Sequence, residues 1–437
     1  MNILRPGQDG YAEEVAGFQT AVPSSPAAVV AAESAEDVVA AVRYATGHGL
    51  SVAVQATGHG LTSGTDGLLI STRRMTGVEI DADAKTARVE AGTRWEAVIE
   101  AAGKHGLAPL SGSSPDVGVV GYTLSGGFGL TARRYGRAAD HVRALDVVTA
   151  DGELRRVEPG SDLFWALRGG RDGFGVVTAM EFALFPVAEL YGGSLTFDTA
   201  DVPAALRAWR TWSAAAPDTL TTSLAMIQYP DLPMVPEPLR GRHIAQVRIA
   251  YLGEDGDELV APLRAAAPTL ADTLRTMPFT ESGSIAAEPR QPHGYHGTNA
   301  TVSQLNDAML DAILEHAGPG TATPPVLIVD LLGGALARKP ETPGVGWDSS
   351  AEYVVRALSM VGDDGVAAVR RAHGKLFDAL APWTTGRLLP FVYGEHAPGE
   401  VAESVFSATD LRRLQEIKRR WDTGNVFPAG PAGQKGR

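Results

Sequence analysis

A glycine-dense stretch, SGSSPDVGVVGYTLSGGFG at residues 111–129, constrains the fold of this chain more than any other feature. Glycines at positions 118, 121, 126, 127 and 129 are too dense for a stable helix or strand interior, since each costs about 1 kcal/mol relative to alanine in a helix. A close approach of the backbone to something else must offset that cost. Two readings stand at this point: a packed turn between two elements, or a wall against which a cofactor lies. No GxGxxG follows the first strand with an acid about 20 residues later, so an NAD fold of that type is not expected.

Short β-rich runs alternate with helical patterns around this stretch. After AVVAA, Ser34 and Asp37 have capping-box spacing ahead of DVVAAVRYA, which predicts a helix ending near Gly47. SVAVQA, GLLIST, TARVEAG, ALDVVTA and FGVVTAMEFALF read as strands; WEAVIEAAGKHG, with Thr93 and Glu96 at capping spacing, and DLFWALRGG read as helices. From about residue 191 to 390, runs such as HIAQVRIAYL and PPVLIVDLLGGA, separated by helical segments such as DVPAALRAWRTWSAA, suit an antiparallel sheet backed by helices. The polar, Gly- and Pro-rich TESGSIAAEPRQPHGYHGTNA is expected to be one long loop. The tail LRRLQEIKRRWDTGNVFPAGP reads as a helix followed by a turn.

The pentapeptide TGHGL occurs twice, and context separates the copies. The first closes a capped helix, where His48 is expected to satisfy carbonyls. The second follows a strand and opens a loop with further glycines at Gly64 and Gly67, where backbone amides can cradle a phosphate. His59 stands in the middle of it, as a turn residue or as a functional one.

Composition narrows the function. At 437 residues, two domains with a cleft between them are expected. An apolar fraction of 44% without a bilayer-length run, and an N-terminus without a secretory pattern, predict a soluble cytoplasmic protein with no membrane partner. The net charge of −13 disfavours nucleic acid. With no cysteine, disulfides, thiolate nucleophiles and Cys-ligated metals are excluded. His293 and His296 have no carboxylate ligand nearby in sequence, so no metal is expected.

Taken together, GH in QATGHG at 55–60, DVGVVGYTLSGGFG at 116–129, YGRAAD at 135–140, DLFWALRGGRDGFGVVT at 162–178 and WDTGNVF at 421–427 resemble the FAD-linked oxidases of the vanillyl-alcohol oxidase superfamily, in the branch of berberine bridge enzyme and 6-hydroxy-D-nicotine oxidase. The resemblance implies an α+β fold: a two-part PCMH-type FAD-binding domain (1–190, with 399–437 returning to it) and an antiparallel-sheet substrate domain (191–398). It implies that Ala56, Thr57, Gly58, His59 and Gly60 wrap the FAD pyrophosphate, with His59 bonded to the flavin. Ser113, Ser114, Val117, Gly118, Gly121, Leu124, Ser125, Gly126 and Gly127 would line the flavin and its phosphates. Asp140 and Gly175 fall in matching segments and are assigned to the cofactor site, Val177 to the adenosine part, and Asn425 to the returning tail. Many relatives carry a second, cysteinyl link; its place here is Ser114, so that link is excluded. The arginine and serine that precede GGH in the family are replaced by Gln55 and Ala56, and the family's terminal aromatic–asparagine pattern is replaced by PFVYGEHA.

Chemistry on a flavin needs a substrate C–H placed against N5 and a group to take the adjoining O–H or N–H proton. The candidates are Tyr393, first, then Glu395 and His296, with His293 and Tyr295 nearby. The reading is an oxidase acting on a small alcohol, amine or sugar-like molecule. Val117, small where a bulkier residue would stand near the expected oxygen pocket, favours O2 as acceptor with H2O2 released. An FAD dehydrogenase with another acceptor and a catalytically inactive flavin- or ligand-binding protein remain alternatives. Oligomeric state is not legible.

Overall fold

The runs read as strands gather into three sheets in the computed structural model, which describes residues 1–346, 350–396, 400–428 and 430. AVVAA becomes the fully buried strand Ala28–Ala31, placed between Asn2–Leu4 and Leu68–Ser71, with Val52–Gln55 beyond. Pairing is antiparallel to Asn2–Leu4 and parallel elsewhere. Parallel strands this buried need cover, and helix Ala35–His48 supplies it through Val38, Ala41, Val42 and Ala45. The Ser34 hydroxyl accepts the Asp37 amide at 3.3 Å, and Gly49 closes the helix at φ 66°. His48 accepts its expected structural role: Nδ1 lies 2.8 Å from the Tyr44 carbonyl and the two rings stack.

A second, antiparallel sheet runs in the order Val78–Asp81, Thr86–Glu90, Val176–Ala183, Val142–Val148, Leu154–Val157. Trp95, Val98 and Ile99 of helix Trp95–Gly103 pack with Leu145, Met180 and Phe182 of this sheet. That helix is not capped by Thr93 as the spacing predicts. Arg94 is the cap residue, the Thr93 hydroxyl bonds the Gly77 carbonyl, and the amides of Trp95 and Glu96 go to the carbonyls of Val117 and Pro115. Backbone from the glycine-dense stretch has taken the place of a side-chain cap. The stretch itself also departs from expectation, because it contains the helix Val119–Leu124 with Gly121 inside. Burial of Val119, Val120 and Thr123 holds that turn, while Gly121 is exposed with nothing within 4 Å of where a Cβ would stand.

The third sheet runs in the order Thr269–Asp272, Glu189–Phe197, His243–Tyr251, Leu220–Gln228, Val326–Leu331, Tyr353–Met360, Tyr295–Val302, Thr384–Gly386, with Arg275–Pro278 also on Glu189–Phe197. Its pairings are antiparallel. Period-two alternation sorts its faces. Ala245, Val247 and Ile249 join Trp209 of helix Val202–Ser213 and Leu310 and Ile313 of helix Asp307–Ala317 in one core, whereas Gln246, Arg248 and Ala250 point the other way. The predicted long loop over 280–300 is divided: Phe279–Ser284 forms a 3-10 turn, and HGYHGTNA enters the sheet as Tyr295–Val302, every residue of it buried. Small and β-branched residues there suit a central strand despite the glycines.

The expected boundary at 190/191 falls within strand Glu189–Phe197, and the one at 398/399 lies outside the described residues. In the tail, helix Ala408–Trp421 buries Leu414 and Ile417 in the core of the second sheet, and the Val426 carbonyl accepts the Val52 amide at 2.7 Å.

Candidate active site

Strand Val52–Gln55 releases the chain into the loop 56–60, pressed against residues 17–19. The carbonyls of Thr57 and Gly58 accept the amides of Phe18 and Gln19 at 2.9 and 3.1 Å. Gly58 stands at φ 73°, and a Cβ there would come within 2.7 Å of the Gly17 Cα. With the carbonyls spent on that side, the amides of Thr57, Gly58, His59 and Gly60 donate to no acceptor among the described residues. Consecutive unpaired amides form an anion-binding nest. The Arg171 guanidinium donates to the Gly60 carbonyl and keeps a cation beside it.

His59 is held from every side but one. Its ring stacks on Phe18 at 3.8 Å and 12°, Nδ1 lies 2.9 Å from the Thr57 hydroxyl, and its carbonyl accepts the Tyr295 hydroxyl at 2.5 Å. Nε2 is buried and has no hydrogen-bond partner among the described residues. Burial, aided by the nearby Arg94 charge, pushes the imidazole pKa down to about 4, so the ring is neutral at pH 7. Thr57 ties this loop to the glycine-dense stretch by accepting the Gly118 amide at 3.3 Å. On the same side, Arg290 bonds Asp116 at 2.6 Å and Ser113 donates to Glu288 at 2.6 Å.

The structure therefore brings Ala56, Thr57, Gly58, His59, Gly60 and Gly118 together, with Ser113, Ser114 and Val117 along the adjoining segment. Gly121, Leu124, Ser125 and Gly126 continue from there. The Leu124 carbonyl holds the amides of Gly169 and Arg171, and the Ser125 hydroxyl turns back to the Gly121 carbonyl. The remaining candidates have close protein neighbours. A Cβ on Gly127 would meet Tyr122 at 2.6 Å and one on Gly175 would meet Val147 at 2.8 Å; Val177 is a core residue of its sheet, and Asp140 pairs with Arg137 at 2.7 Å. Asn425 sits at φ 51° with Oδ1 buried and without a partner among the described residues.

Across the seam stands the third sheet. Tyr393 pairs its backbone with Gly297 at 3.0 Å in both directions, the Gly394 amide bonds the Leu61 carbonyl, and the rings of Tyr393 and Tyr295 meet edge to face at 5.9 Å. Burial pushes the Tyr393 phenol up to about 12. His293 lies against Phe18, with ring centroids 5.2 Å apart. His296 does not join them: alternation sends it to the opposite, helix-covered face, where its ring lies 4.7 Å from His396 and 5.7 Å from His373. Glu395 is exposed. No group of metal-ligating residues occurs among the described residues.

A cavity of about 510 Å³, its mouth included, separates Ser113, Phe128 and Ile285 from the sheet residues Arg248, Asp330 and Arg356. None of these three charged residues was singled out by sequence. Each is the one Asp, Glu, Lys or Arg of its strand, HIAQVRIAY, VLIVDL or YVVRALSM, and that is the signal that marks them. Glu288 was missed with them.

An amide nest beside a cation, an exposed glycine in an otherwise buried turn, and orphaned polar atoms at His59 and Asn425 fit a pyrophosphate-bridged flavin dinucleotide. Residues 26–158 match the family described as FAD binding domain. An FAD-linked oxidoreductase of Dictyostelium discoideum is 24% identical over 97% of this chain and 92% of its own length. The (R)-6-hydroxynicotine oxidase of Paenarthrobacter nicotinovorans is 29% identical over 60% of this chain and 58% of its own. The crystal structure of 6-hydroxy-D-nicotine oxidase from Arthrobacter nicotinovorans has the same fold, with a TM-score of 0.83 at 23% identity, covering 98% of this chain and 97% of that one. No helix among the described residues is long and apolar enough to cross a membrane. Residues 26–158 belong to the FAD binding domain family, and the chain as a whole is similar to the FAD-linked oxidoreductases of the vanillyl-alcohol oxidase superfamily, in the branch of berberine bridge enzyme and 6-hydroxy-D-nicotine oxidase.

Proposed function

We propose that this chain is an FAD oxidase that carries its cofactor on His59, oxidises a small alcohol or amine in the cavity, and passes the electrons to O2 with release of H2O2. The state of His59 carries the reading. An imidazole kept neutral by burial, with one nitrogen engaged by Thr57 and the other unpartnered, has a lone pair to offer at neutral pH. FAD, when bound, supplies the two-electron acceptor at flavin N5.

The protein's own part is to hold, orient and deprotonate. The nest over Thr57, Gly58, His59 and Gly60, with Arg171 behind it, would hold the pyrophosphate. Ala56, Ser113, Ser114, Val117, Gly118, Gly121, Leu124, Ser125, Gly126 and Asn425 would line the cofactor, and Gly127, Asp140, Gly175 and Val177 would shape the wall from behind. Residues 1–190 and 399–437 form the cofactor part in this reading, and 191–398 the substrate part. Burial opposes ionisation of Tyr393, so it acts as a neutral phenol that orients the substrate heteroatom rather than as the base. Glu288, held by Ser113 at the cavity's edge, takes the proton.

Intact mass and absorbance after acid denaturation test the link. The wild type is expected to keep yellow colour and the added mass of FAD, and His59→Ala to lose both; flavin released whole from the wild type would exclude the bond. A peroxide-release screen over alcohols and amines tests the oxidase, and reduction without peroxide in air would turn the reading to a dehydrogenase.

A further inference from the structure

Three central strands place their lone charges in one row across the cavity wall. Ser223 pairs in register with both Arg248 and Asp330, and Arg356 lies diagonally beyond, opposite Ile328. Two of the charges neutralise each other. The Arg356 Nε lies 2.8 Å from Asp330, and its guanidinium covers the Phe391 ring at 4.2 Å.

Arg248 is left over. It is 9% exposed and, among the described residues, has no carboxylate within 4.0 Å. Its Nε donates to Gln246 Oε1 at 2.9 Å, and the Gln246 amide is fixed on Ser194 at 3.3 Å, so the guanidinium is aimed. Arg248 lines the cavity, and its terminal nitrogens find no acceptor among the described residues. Glu288 accepts the Ser113 hydroxyl at 2.6 Å and forms no ion pair with Arg248 among the described residues. A buried charge without a counterion is costly, and a planar fork of donors matches a carboxylate.

We propose that Arg248 docks a carboxylate of the substrate, which makes the substrate a small alcohol or amine that bears a carboxylate. The inference rests on the cavity being the substrate site of the FAD enzyme. An apolar wall from Phe128, Ala250 and Ile285 leaves room for a short carbon skeleton beside the docked carboxylate.

Calorimetric titration of the flavin-loaded protein with two matched pairs, acetate against acetamide and benzoate against benzamide, at constant ionic strength and pH 7, tests it without turnover. At least one carboxylate is expected to bind about tenfold or more tightly than its amide, the margin of a charge-assisted hydrogen bond. Arg248→Met is expected to erase that margin while leaving amide binding unchanged, and Arg248→Lys to restore part of it. Equal affinities within both pairs in the wild type, a measurement that needs no variant, would overturn the inference, as would a margin that survives in Arg248→Met. Flavin absorbance of each sample separates the two levels: protein that takes up no FAD overturns the parent reading, whereas flavin-loaded protein without carboxylate preference overturns only the role of Arg248.

Discussion

Gly58 and Gly121 are both glycines of the proposed cofactor wall, yet physics gives opposite forecasts for replacing them. At Gly58, φ is 73° and an added Cβ meets backbone at 2.7 Å, so Gly58→Ala is expected to destabilise the fold by about 1–3 kcal/mol and to lower flavin content together with the melting temperature. Gly121 is helical, exposed and has nothing within 4 Å. Gly121→Ala is expected to stabilise the flavin-free protein by about 0.5–1 kcal/mol while weakening FAD binding, because the new methyl stands on the face that the cofactor would cover. Thermal melts of flavin-free protein and FAD titrations of the same samples read the two effects apart. If melting temperature and FAD affinity rise together, that face does not contact the cofactor.

Elements explain why some of the site was legible in sequence and some was not. His59 separates from His48 by context alone, because one follows a strand into glycines and the other closes a capped helix. The sheet strands follow from alternation, but alternation does not say what lies beyond the polar face. HIAQVRIAY reads as a sheet strand, and only the fold turns the face of Arg248 onto a cavity. HGYHG reads as loop because glycine and histidine are poor strand formers; pairing on two sides overrides that propensity and sends Tyr295 and His296 to opposite faces. The tail helix was legible, whereas its anchor was not. Lys418 and Asp422 form a buried pair, and Asp422 also accepts the amides of Val426 and Phe427 at 2.7 and 2.9 Å. Asp422→Ala would strand a buried ammonium and two amides, with an expected cost of about 3–5 kcal/mol in denaturant melts. Because the same turn carries Asn425, flavin retention is expected to fall with it; a loss below about 1 kcal/mol would show that the pair is dispensable.

The whole molecule links its histidines to acid stability. Burial lowers the pKa of His59 to about 4, of His296 to about 3 and of His373 to about 4, each from an ordinary value of 6.5. The folded protein therefore leaves these rings neutral where the unfolded chain protonates them. Above pH 6.5 neither state binds the protons and the histidines contribute no slope. Between pH 6.5 and 4 the unfolded state holds more protons, so stability falls on acidification, each ring contributing up to about 1.4 kcal/mol per pH unit. His296 and His373 share the helix-covered side of the third sheet, where His373 lies 3.0 Å from the Ser359 hydroxyl and adjacent rings oppose one another's charging. Urea melts from pH 7 to 4 are expected to lose stability first near pH 6, above the range where most carboxylates titrate. His373→Gln, which keeps a polar partner for Ser359 without a titrating ring, is expected to flatten that slope by nearly one proton while leaving the pH 7 value within about 1 kcal/mol. An unchanged slope in the variant would mean that His373 is protonated equally in both states, and that the histidine side of the sheet takes no part in acid sensitivity.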